Sequence, residues 1–249
     1  MPEPPDRGPA AYLAEFIGTF TLVFFITMAV SLYVTPPVNG QQPFIDWSVI
    51  GLVHAFVLFM LVQTLAVVSG AHVNPAVTAG MLVIRQIKLV DAVIYWLVQL
   101  AGGVAAALVT KGLITDEGRA VHYGAPAVSS HVTTFGGICC EAIGAFFLVW
   151  AIVGVAVNPT AYKGWAGWVI GATLGLGLMV MGPLTGGSFN PARAFGPALV
   201  GHAFSPDAGK WILTYVVGPV VGAILAATSY HYMFILPGKK GVEGMEPVG

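Results

Sequence analysis

This sequence has little charge. Only 8% of its residues are Asp, Glu, Lys or Arg, where a soluble domain carries roughly a quarter. With 57% hydrophobic residues and a mean hydropathy of +0.83, the chain is read as an integral membrane protein. The few charges are scattered and sum to −1. There is therefore no basic face for nucleic acid and no acidic tail for a cationic partner. Cysteine is scarcer still, at two residues. Cys139 and Cys140 are neighbours, poorly placed to bridge each other, and read as small apolar packing. No His-Glu-x-x-His, Gly-x-Ser-x-Gly or paired-Asp arrangement occurs in an apolar segment. Neither an intramembrane enzyme nor a bound metal or cofactor is expected.

What is present is length of apolar sequence. Six segments, about 12–34, 47–68, 91–113, 134–157, 165–183 and 210–234, approach the roughly 20 residues that a bilayer core requires. The first is too long for a signal-peptide core, and its flank is proline-rich and nearly neutral, so it is expected to stay in the mature protein. Arg7, Arg85, Lys88, Lys163, Lys239 and Lys240 fall on one side of this map, against Lys111, Arg119 and Lys210 on the other. By the positive-inside rule both termini face the cytoplasm, as short tails.

Two shorter apolar segments, about 75–84 and 191–200, each begin at an Asn-Pro-Ala triplet: Asn74-Pro75-Ala76 and Asn190-Pro191-Ala192. Asn is a strong helix N-cap, and proline is best tolerated in the first turn, so each triplet reads as a helix start. Each is followed by about half a span. The lead-ins 69–73 and 185–189 carry small residues in matching columns. A second internal match, Glu15-Phe16-Ile17-Gly18 with Glu141-Ala142-Ile143-Gly144, opens spans one and four. The chain is thus one channel-like domain over residues 1–249, made of a repeat at about 10–115 and another at about 131–236. Each repeat has three spans and one half-helix, and three is odd, so the second half enters the membrane inverted.

Broken helices at matching places in inverted repeats point to a site at the midplane, and irregular backbone at that depth survives only where it lines a cavity or is buried in protein. The lead-ins are therefore expected to line a conduit. The two positive half-helix ends meet at its centre and repel cations and protons, while Asn74 and Asn190 offer N–H groups to a passing solute oxygen. Apart from Asp91 at the first position of span three, Glu15 and Glu141 are the only acidic residues inside spans, where carboxylates are costly. They can relay protons or accept hydrogen bonds from the re-entrant loops; their equivalent positions favour the second role. By helical rise, His54, Leu178, Gly187 and Arg193 reach a similar depth on the outer side and form a constriction. An ion-coupled transporter also uses inverted repeats, but needs a titratable or cation-binding group at the midplane, where these triplets supply only neutral dipoles.

The paired triplets, Arg193 directly after the second, the two Glu-bearing span openings and Val217-Gly218-Pro219 resemble the aquaporin (major intrinsic protein) family over nearly the whole chain. The resemblance implies an all-α, right-handed bundle of six tilted helices plus two re-entrant half-helices, assembled as homotetramers with one pore per subunit. It implies passive passage of water, with His54, Leu178, Gly187 and Arg193 as the selectivity filter. Glycerol facilitators of the family typically carry Trp in place of His54 and Asp where this chain has Ala194, so a glycerol-permeating channel is the alternative rather than the first reading. Strict water channels carry Phe in place of His54 and His in place of Leu178. The set found here is more similar to plant tonoplast intrinsic proteins, many of which also pass ammonia or urea. Those relatives also suggest His131 as a residue lying over the filter. Val216 departs from the family, which usually has Trp there. The plasma membrane is the expected location, and the vacuolar membrane the alternative.

Overall fold

Residues 6–35, 44–204 and 207–237 are described by a computed structural model. Lys239 and Lys240 lie outside them. Among the described residues, six helices are long and apolar enough to cross a membrane: α1 (Pro9–Tyr33), α2 (Trp47–Ser69), α4 (Leu89–Leu113), α6 (Thr134–Val157), α7 (Lys163–Thr185) and α9 (Ala208–Ile235). Two half-helices, α3 (Pro75–Val83) and α8 (Pro191–Val200), enter between them. A short α5 (Asp116–Ala120) lies in the loop joining the halves.

The expected spans are all present, and the differences are at their ends. α1 starts at Pro9 because proline suits the first helical turn and the Gly8 carbonyl accepts from Ala11 and Tyr12. α7 was expected to stop at Pro183 but runs to Thr185, where Gly186 at φ +78° closes it by donating to the Gly182 carbonyl at 2.8 Å. α9 starts where Asp207 accepts from the Lys210 N–H, a bond that holds this carboxyl below its ordinary value. One element escaped the sequence reading: Val34–Thr35 pairs antiparallel with Phe44–Ile45 as a two-stranded ribbon between α1 and α2.

The packing is that of an inverted repeat. α1 lies on α4 as α6 lies on α9, and α2 packs along α7 between the halves. Each half-helix packs on the third span of the other half, α3 on α9 and α8 on α4. Burial of apolar surface cannot drive helix association in lipid, so close packing through small residues takes its place. A Cβ on Gly103 would stand 2.6 Å from the Ala192 carbonyl oxygen, and one on Gly196 would clash with the Gly103 carbonyl. α9 widens to a π-turn at Leu213–Val217. Pro219 lacks the N–H that would bond the Tyr215 carbonyl, and its ring crowds that oxygen.

Candidate functional site: two opposed half-helices

The two re-entrant loops repeat one backbone pattern. Gly70, Ala71 and Val73 have positive φ, and so do Gly186, Gly187 and Phe189 at the matching places. Val73 is β-branched and Phe189 bulky, which makes both genuine outliers, each carrying about 1–3 kcal/mol of strain. Surrounding bonds hold them there. Glu15 accepts from Ser69 Oγ at 2.7 Å, from the His72 and Val73 N–H groups at 2.9 and 2.6 Å, and from Gln99 Nε2 at 2.8 Å. Glu141 accepts from Thr185 Oγ1 at 2.6 Å and from the Ser188 and Phe189 N–H groups at 3.0 and 2.7 Å. Both carboxylates are fully buried. Glycine below each loop allows the approach: a Cβ on Gly18 would meet Val73 Cγ1 at 2.6 Å, and one on Gly144 would overlap the Phe189 ring.

The loops deliver Asn74 and Asn190 to one another. Asn74 Oδ1 accepts from the Ala76 N–H at 2.8 Å, and Asn190 Oδ1 from Ala192 and Arg193 at 3.0 and 3.2 Å, so each caps its own half-helix. The other face of each amide crosses over. Asn74 Nδ2 donates to the Phe189 carbonyl and Asn190 Nδ2 to the Val73 carbonyl, both at 2.9 Å. Each Nδ2 carries two hydrogens, so one remains beyond the crossing bond. Both residues line a cavity of about 500 Å³ that runs from Arg7, Gln63 and Lys163 at one end to His54 and Arg193 at the other. Among the described residues, its lining carries Arg7, Lys163 and Arg193 and no carboxylate.

At the far end, His54 Nδ1 lies 2.8 Å from the Ile50 carbonyl. A carbonyl only accepts, which puts hydrogen on Nδ1 and leaves Nε2 of the neutral ring as an acceptor. Arg193 is held by its Nη1, which donates to the Gly124 carbonyl at 2.9 Å. Among the described residues, His54 Nε2 and Arg193 Nε have no hydrogen-bond partner, which leaves one acceptor and one donor unused. Leu178 and Gly187 touch each other, and neither is among the residues that line this cavity. A Cβ on Gly187 would stand 2.6 Å from Leu178 Cδ1, so the leucine fills the room the glycine leaves. His131 is exposed at the end of a tight turn in which the Val132 N–H bonds the Ser129 carbonyl, and its backbone N–H donates to Ser129 Oγ. The stretch at Gly124 and Pro126 packs against the second re-entrant loop, with Pro126 Cβ 2.8 Å from where a Gly186 Cβ would be.

Sequence reasoning missed the second layer of support. Tyr95 on α4 donates to the Ser69 carbonyl at 2.7 Å, and Tyr215 on α9 donates to the Thr185 carbonyl at 2.8 Å. Each tyrosine ties the helix end that precedes a re-entrant loop. Gln99 adds a bond from Nε2 to Thr78 Oγ1 at 3.1 Å, and Trp96 Nε1 donates to the Pro75 carbonyl at 3.0 Å. Aligning Tyr95 with Tyr215 as part of the internal repeat was the available signal.

Six spans, with two half-helices meeting head to head beside a narrow conduit, define a passive membrane channel. The model of the Major intrinsic protein family matches residues 8–230. Aquaporin AqpM of Methanothermobacter thermautotrophicus is 35% identical over 235 residues, spanning 89% of this chain and 96% of that protein. Probable aquaporin TIP3-2 of Arabidopsis thaliana is 38% identical over 234 residues, spanning 90% and 84%. Among solved structures, the aquaglyceroporin from Plasmodium falciparum aligns with a TM-score of 0.77 over 93% of this chain and 98% of that one; at 23% identity the likeness is one of fold. The chain belongs to the major intrinsic protein family. It is a multi-pass membrane protein and a passive water channel, of a family of channels rather than enzymes.

Proposed function

We propose that this channel conducts water, passes small neutral solutes such as ammonia or urea, and excludes protons and ions. The carrying observation is the crossed pair of asparagine bonds between the half-helix N-termini. A water oxygen passing this point accepts from the remaining Nδ2 hydrogens and must turn its own hydrogens outward, so it is a poor link in a proton wire. The positive ends of both half-helices act at the same place. Arg7, Lys163 and Arg193, with no carboxylate among the described lining residues, repel cations at both ends of the conduit.

His54, Leu178, Gly187 and Arg193 act as the filter in this reading, and Glu15 and Glu141 hold the loops rather than relay protons. The unpartnered His54 Nε2 and Arg193 Nε suit a solute that both donates and accepts. Ammonia, no larger than water, fits a filter in which Leu178 occupies the space beside Gly187 better than urea does. The protein forms one domain of two repeats, assembled as homotetramers, with both termini in the cytoplasm and the plasma membrane as its location. Stopped-flow light scattering on proteoliposomes, run with water, ammonia and urea in turn, tests the solute range. Ammonia flux at the level of protein-free vesicles would remove it from the list.

A further inference from the structure

The tie between Trp96 and the first half-helix has no counterpart in the second half. Tyr95 and Tyr215 hold equivalent carbonyls, so the residues after them, Trp96 and Val216, are equivalent as well. Trp96 Nε1 bonds the Pro75 carbonyl; valine has no donor to offer. Where a second indole would stand there is a cavity of about 820 Å³, walled by Pro75 and Trp96 on one side and by Pro191, Trp211 and Val216 on the other. It is separate from the conduit, with which it shares no lining residue.

All its lining side chains are apolar, apart from the indole N–H groups. Water needs two or more polar partners to stay in such a space, so an apolar cavity remains dry. Its size lies within the range of small-molecule sites. Its walls come from α3, α4, α8, Phe204 in the loop after α8, and α9, in a bundle that sits in a bilayer. Pro75 and Pro191 set its middle at the membrane midplane, and Trp211, in the first turn of α9, marks its outer end. The Trp211 ring is buried, and its Nε1 has no partner among the described residues. Tryptophan at a span terminus stands at headgroup level, where an acyl ester offers a carbonyl acceptor.

We propose that this cavity is a lipid site, taking one acyl chain of an outer-leaflet glycerolipid against the bases of both half-helices, with the ester carbonyl at the Trp211 end. The chain occupies the volume that the indole at position 96 leaves unmatched at position 216, and it backs Pro191 where the first half uses its own side chain.

The test is to reconstitute the full chain in phosphatidylcholine vesicles in which part of the lipid carries a photoactivatable diazirine on one acyl chain. Labelled residues are then read by peptide mass spectrometry. Leu108 and Leu225, which are 55% exposed on the outer surface, report ordinary contact with the bilayer. Labelling of the 211–220 stretch is expected to exceed theirs by about fivefold, and to fall to their level in Val216→Trp while theirs is unchanged. Water permeability of the same vesicles confirms that the variant is folded. If Val216→Trp does not conduct, Val216→Phe carries the same expectation with less added bulk. Labelling of 211–220 no stronger than at Leu108, as when a second copy of the chain covers the cleft, would overturn the proposal, as would undiminished labelling in the filled variants.

Discussion

Asn74 and Asn190 are bound to each other's loops: Asn74 Nδ2 donates to the Phe189 carbonyl and Asn190 Nδ2 to the Val73 carbonyl, both at 2.9 Å. Because each Oδ1 also caps its own half-helix, two side chains fix the ends of both half-helices and the distance between them. The crossing explains why the two triplets must match: each asparagine needs the backbone of the other's lead-in.

Replacing the amide by a carboxylate of the same shape isolates this relationship. Asn190→Asp keeps an oxygen for the Ala192 N–H but sets a second oxygen against the Val73 carbonyl. Two buried acceptors facing each other cost about 1–3 kcal/mol or more. Water permeability per folded channel is expected to fall about tenfold, the effect of roughly 1.4 kcal/mol on a barrier. Unchanged permeability in stopped-flow measurements would show that the crossing bond is dispensable.

Glu141 distinguishes loop support from proton relay. In Glu141→Gln one oxygen remains for Thr185 and Ser188, but the amide nitrogen meets the Phe189 N–H, leaving a buried donor unpaired at a cost of about 1–3 kcal/mol. The expected result is a lower melting temperature and reduced water flux, with proton flux at background in parent and variant alike. A parental proton flux that the glutamine variant abolishes would restore the relay.

Gly144→Ala should damage the pore from a distance. The added methyl would overlap the Phe189 ring, and Phe189 presents the carbonyl that Asn74 uses. Water permeability is expected to drop several-fold while the protein stays in the membrane. Full activity would mean that Phe189 moves aside without disturbing the crossing.

Mercurial reagents should leave water flow intact, because neither Cys139 nor Cys140 lines the conduit. Strong inhibition that disappears in a Cys139→Ser, Cys140→Ser double variant would contradict this placement of α6.

Much of this architecture was legible in the sequence because it rests on local rules and on duplication. Asn before proline before a short apolar run specifies a capped half-helix, finding it twice specifies the repeat, and three spans per repeat specify the inversion. Glu15 and Glu141 stood out because a carboxylate inside an apolar span needs a reason. What escaped depends on relations between distant segments. Nothing near Gly187 in sequence says that the Leu178 side chain fills its empty place. His131 sat in a loop whose register is set by the turn at Ser129 and by the Gly124 carbonyl reaching Arg193. Tyr95 and Tyr215 passed as ordinary span aromatics, since their hydroxyls find partners only when the third span of each half folds back onto its own loop.

The most direct test of the account measures water and proton fluxes in the same proteoliposomes, under an osmotic gradient and then under a pH gradient. The account predicts rapid water flow with an activation energy near that of free water movement and a proton flux no greater than that of protein-free vesicles. A proton flux that rises with the amount of channel and keeps pace with the water flux would contradict it, because two capped half-helices meeting at Asn74 and Asn190 leave no continuous proton wire.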